Sequence, residues 1–127
     1  MRGVTSALSC FLETFRVLRI AREVDRRRLL SGPAPLLAEL RARGRRGVVR
    51  SPEQRRALKT AIRVVDAAFP GGGNCYRRAL FEVALDPTAA GEPLHMALRE
   101  HGGPQSGHAW LGGTPDTNDT YDAVFVA

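Results

Sequence analysis

The sequence predicts an α+β domain, with N-terminal helices packed on a small antiparallel sheet. Two observations predict it. Apolar residues recur every three or four positions as far as Leu85, and from Pro93 onward the period falls to two. Between the two regimes lies GGGNCYRR, residues 71–78, which sets Cys75 where a glycine-rich bend becomes a helix.

The 127 residues suffice for one domain over 1–127, comprising an arginine-rich helical region (1–50) and a core (51–127). Charged content of 25% and hydrophobic content of 43% exclude a disordered chain. Two cysteines, Cys10 and Cys75, are too few for a disulfide framework and suit a reducing compartment. Arg2 and the short apolar run broken by Glu13 read as the start of a helix rather than a signal peptide. No run approaches the roughly 18 apolar residues of a membrane span, so a cytoplasmic, membrane-free protein is expected.

Residues 1–63 hold 16 Lys or Arg against 5 Asp or Glu, whereas residues 64–127 hold 3 against 8. Such asymmetry marks a solvated arginine-rich face, a surface for an anionic partner, or a nucleic-acid-binding half. The solvated face is preferred, and no nucleic-acid partner is expected.

In chain order, Leu8, Phe11, Leu12, Phe15, Leu18 and Ile20 define an amphipathic helix over 6–30, closed by SGPAP. A shorter helix carries Leu36, Leu37 and Leu40 and is expected to break at Gly44. The stretch RARGRRGVVR (41–50) then reads as an exposed loop, or alternatively as a basic finger for an acidic partner. Ser51, Pro52 and Glu53 give an N-cap, a first-turn proline and a first-turn acid. The helix they open has Ala57, Leu58, Ala61, Ile62, Val65 and Phe69 on its apolar face. The Cys75 helix runs to about Leu85, with Arg77 and Arg78 expected on its surface, and residues 88–92 form a turn. Strands follow at LHMALRE, at 108–111 and at 121–127, joined by HGGPQSG and GGTPDTND into an antiparallel meander.

The candidate chemistry centres on Cys75. Asn74 is a suitable N-cap, and the first helical position offers unpaired N–H groups and the positive end of the helix dipole, which favour a thiolate. Those N–H groups also suit the oxyanion of an acyl-transfer intermediate, and the preceding glycines, Gly73 included, allow a bound peptide close approach. His108 lies in GHAW, 33 residues on, sharing a strand face with Trp110, and is placed to take the thiol proton. Among Asp116, Asp119 and Asp122, Asp119 is the first choice for the orienting carboxylate because a returning strand would bring it beside His108. Asp122 is second, and Asp116, after Pro115, reads as a turn residue. His95 and His101 lack close ligand pairs, so no metal is expected.

The cysteine-led helix (Cys75, Arg78-Ala79-Leu80), Gly107-His108-Ala109-Trp110 and the turn Asn118-Asp119-Thr120-Tyr121-Asp122 together resemble the transglutaminase-like cysteine protease core. More narrowly, they resemble the leader peptidases of lasso peptide biosynthesis. The resemblance covers about 51–127. It implies a papain/transglutaminase-like core with Cys75 as nucleophile, His108 as base and Asp119 as orienting acid. It also implies a precursor peptide as substrate, a small partner protein that presents the leader, a cyclase acting on the product, and no cofactor. Gly73, Asn74, Arg78 and Trp110 would then border the substrate. The alternatives are a non-catalytic or partner-completed peptide-binding module of the same fold, and a basic nucleic-acid-associated protein.

Overall fold

A computed structural model describes residues 2–69, 75–98, 107–112 and 123–127. Among these residues, five helices precede three strands: α1 (Arg2–Arg28), α2 (Pro33–Arg45), α3 (Pro52–Ala68), α4 (Cys75–Leu85), α5 (Pro87–Ala90), β1 (Leu94–Leu98), β2 (Gly107–Leu111) and β3 (Ala123–Val126). The coarse α+β class and its helix-then-strand order follow the periodicities. Among the described residues, no helix is long and apolar enough to cross a membrane.

Helix α4 is central, packing against α1, α2, α3, α5 and β2. Its buried stripe, Arg77, Leu80, Phe81 and Ala84, has helical spacing and enters the main core with Val17, Ile20 and Val24 of α1 and Leu58, Ile62 and Val65 of α3. The expected surface position of Arg77 is therefore corrected. Its guanidinium is buried between Asp25 Oδ2 at 3.0 Å and Asp66 Oδ1 at 3.4 Å, and it stacks over the rings of Phe69 and Phe81. These pairs tie α4 to α1 and α3, a location no local pattern discloses.

The apolar face expected of α1 is likewise only partly internal. Leu8, Phe11, Leu12 and Phe15 are exposed, Phe11 at 70%, whereas Val17, Ile20, Ala21 and Val24 are buried. Stripes starting at residues 8 and 17 are nine positions, or two and a half turns, apart and so face opposite directions. At the level of the outer stripe, the inward position belongs to Glu13. This carboxylate meets Arg50 at 3.1 Å and 3.2 Å, with both side chains about 5% exposed or less.

Arg50 also donates to the carbonyl of Leu85 at the end of α4, so the stretch 41–50 is neither wholly a loop nor wholly exposed. Helix α2 runs through Gly44, which is buried. A Cβ there would stand 1.8 Å from the carbonyl oxygen of Val83. Glycine at this position permits contact between two backbones rather than a helix break. Arg41 donates to the carbonyls of Ala90, Glu92 and Ala127, joining α2 to the segment before β1 and to the residue after β3. Residues 87–90 form the short helix α5, capped by Asp86 Oδ1 on the Thr88 N–H, where only a turn is expected from sequence.

The sheet order is β2-β1-β3, with both pairings antiparallel. The expected meander is thus corrected: β3 pairs with β1, not with the strand that bears His108. Leu94 and Met96 face the helical core, and β1 is covered on its second face too, since His95 and Ala97 are buried. The outer edge of β2 is occupied by the start of α4, which leaves the far edge of β1 for β3.

Candidate active site

Cys75 is the first residue of α4, half-buried, with its side chain against the outer edge of β2. The register pairs Met96 with Ala109, and Gly112 donates to Pro93 at 2.9 Å. Alternation along an antiparallel ladder then turns the N–H groups of 107, 109 and 111 outward. One of them is used: Ala109 N–H donates to Cys75 Sγ at 3.2 Å. The dipole is aimed at the atom where negative charge develops in a thiolate. Helix start and strand edge, 34 residues apart in sequence, thus meet at the sulfur.

His108 lies one residue from that donor and is exposed. Its ring stacks on Trp110 at 5.3 Å and 25°, and Trp110 also stacks on His95 at 5.2 Å and 7°. Alternation places His108 and Trp110 on one face of β2, and the register sets His95 opposite Trp110. Among the described residues, neither ring nitrogen of His95 has a hydrogen-bond partner, so this buried imidazole serves as an aromatic surface. Sequence reading left His95 without a role because its place in the stack depends on strand register.

An open cleft of about 340 Å³ runs along this edge. Cys75, Arg78, Ala79 and Glu82 line it from α4 at spacings of three, one and three, the signature of a single helical face. Lys59, Ile62 and Arg63 line it from α3, and 108–111 with Glu92 line the remaining wall. Cys75, His108, Arg78 and Trp110 are therefore assembled around one cavity. Asp119, Asp122, Gly73 and Asn74 lie outside the described residues. The returning strand expected to bring Asp119 beside His108 runs instead beside β1, because β3 pairs with β1 and not with β2.

Two carboxylates that were overlooked in the sequence border the cleft, Glu82 and Glu92. The Glu82 carboxyl is held above its usual value, chiefly by burial. Lys59 opposes the shift, Asp86 and Glu92 reinforce it, and Arg55 opposes it again. The available signal for Glu82 was its position two turns after Cys75. Glu92 gave none, since it is brought in by a turn. Among the described residues, no three His, Cys, Asp or Glu side chains are grouped to hold a metal.

Compared with family models, curated proteins and solved structures, the chain has no significant match. Functional reading therefore rests on this site.

Proposed function

We propose that the chain is a thiol-dependent peptidase of transglutaminase-like type, which removes the leader from a ribosomally made precursor peptide in lasso peptide maturation. One observation carries the reading: the Ala109 N–H hydrogen bond to Cys75 Sγ, which fixes a helix-opening cysteine beside the His108 strand at an open cleft. In the proposed reaction, His108 takes the thiol proton and the Cys75 sulfur attacks the scissile carbonyl carbon. N–H groups at the start of α4 receive the oxyanion. Collapse of the intermediate breaks the C–N bond. The amine leaves with the proton returned by His108, and the acyl group stays on sulfur as a thioester. Water, giving up a proton to His108, then cleaves the thioester and restores the thiol. On the family resemblance alone, Asp119, or Asp122 in second place, is assigned to hold the imidazole tautomer. A leader-presenting partner protein and a downstream cyclase belong to the same proposal.

A second reading, a partner-completed peptide-binding module of the same fold, is favoured by the exposed stripe Leu8, Phe11, Leu12 and Phe15. The two are separated by assaying cleavage of a precursor peptide with the chain alone and with a leader-presenting protein added. In either form of the enzyme, Cys75→Ala abolishes cleavage and leaves the far-ultraviolet circular dichroism unchanged. Iodoacetamide should label Cys75 faster than Cys10, and His108→Ala should remove the difference. Equal labelling of both cysteines, indifferent to His108, would defeat the peptidase proposal.

A further inference from the structure

We propose that the cleft selects a substrate carrying a carboxylate close to the scissile bond, read by Lys59, Arg63 and Arg78. This rests on the reading of Cys75 as the nucleophile. Lys59 and Arg63 are one turn apart on α3, and Arg78 is one turn after Cys75 on α4, so three cations from two helices border the same cavity as the sulfur.

Their surroundings set them apart from the cations that stabilise the fold. Glu13, Glu23, Asp25, Asp66 and Asp86 each meet an arginine in an ion pair. Among the described residues, Arg63 and Arg78 meet no acid, and Lys59 reaches only Glu82, at a long 3.8 Å. Glu82 and Glu92 are the carboxylates on the cleft wall, so cations outnumber them, and the half-buried Glu82 carboxyl holds its proton more tightly than usual. A guanidinium offers a planar fork that matches a carboxylate, and two such forks on adjacent helices can grip a side-chain or terminal carboxylate at a defined distance from Cys75.

Charged and neutral alkylating agents of similar size provide the test. Iodoacetate and iodoacetamide both transfer a two-carbon group to the thiolate with loss of iodide, and only the former carries a carboxylate. Rates at Cys75 and Cys10 are read by peptide mapping in the full chain, with N-acetylcysteine as the free-thiol reference. The iodoacetate-to-iodoacetamide ratio at Cys75 should exceed that of the free thiol. It should fall by about two- to fivefold with each of Arg63→Gln and Arg78→Gln, as befits partly exposed charges, and fall again with added salt. The ratio at Cys10 should not move. A Cys75 ratio equal to that of the free thiol, or unchanged in both variants, overturns carboxylate selection while leaving the peptidase reading intact. If Cys75 reacts no faster than Cys10 with either reagent, the nucleophile reading fails and this proposal falls with it.

Discussion

Glu13 and Arg50 face each other out of reach of water, through two hydrogen bonds that satisfy both carboxylate oxygens. A buried pair of this kind adds little over an apolar one, but removing a single partner strands a charge. Glu13→Ala, which strands the Arg50 guanidinium, should therefore lower the unfolding free energy by about 3–5 kcal/mol, measured by urea titration, and Arg50→Ala should cost less because Arg16 Nη1 stays 3.1 Å from Glu13 Oε1; a loss below about 1 kcal/mol in Glu13→Ala would mean that solvent screens the pair. Glu82 behaves in the opposite sense. Its carboxyl is raised in the folded chain, so between its ordinary value of 4.5 and the raised one the folded state binds more protons than the unfolded state. Its contribution is then fully present below about pH 4.5 and lost as pH rises through the folded value. Glu82→Gln should gain on the parent protein as pH increases across that window, shown by urea midpoints taken from pH 4 to 7. Residues of this type set the limit of sequence reading. Cys75 was legible as a helix start because glycines and an asparagine, a residue type that favours N-caps, precede it. Arg50 and Arg77 look like any other arginine until Glu13, 37 positions before Arg50, and Asp66 come into contact with them.

The start of α3 was read correctly because its signals are local. At the start of α3, Ser51 Oγ accepts from the Gln54 N–H at 3.2 Å, and the Ser51 N–H donates back to Gln54 Oε1 at 2.8 Å. Ser51→Ala should cost about 1 kcal/mol, seen as a lower denaturation midpoint, and Gln54→Ala should remove part of the same reciprocal pair. Helix α1 was legible as a helix but not in its orientation. Its two apolar stripes compete for the inward face, and the Glu13–Arg50 pair and the core decide which one wins. Phe11→Ser should accordingly leave stability within about 0.5 kcal/mol. Ile20→Ala, at 1% exposure, should cost about 2–5 kcal/mol. Strand order escaped for a related reason. Period-two patterning marks a strand and its faces, but it carries no information on which neighbour occupies an edge. Here the first turn of α4 claims the outer edge of β2, so the sequence-adjacent strands β2 and β3 end up on opposite sides of β1.

The whole molecule converges on α4, which carries Cys75 at one end and receives Arg50 on the Leu85 carbonyl at the other. Its position is fixed from three sides: Arg77 binds it to α1 and α3, Ala109 holds its first residue, and Gly44 lets α2 lie directly against its backbone. The last contact is the one with least room to give. A methyl group at Gly44 would meet the Val83 carbonyl oxygen at 1.8 Å and the Ala90 Cβ at 3.0 Å, and the first of these is a main-chain atom within a helix. Relief would require α2 and α4 to separate, and such overpacking costs about 1–3 kcal/mol or more. That outweighs the gain of up to about 1 kcal/mol that alanine brings over glycine inside a helix. Gly44→Ala should therefore be destabilising, with a lower urea midpoint and an unchanged slope. The site should register the displacement as well. If α4 moves as a unit, the bond between the Ala109 N–H and the Cys75 sulfur lengthens, and iodoacetamide labelling of Cys75 should slow towards the rate at Cys10. A variant that loses stability while keeping the Cys75 rate would show instead that α2 absorbs the shift and that the sulfur is held by β2 alone.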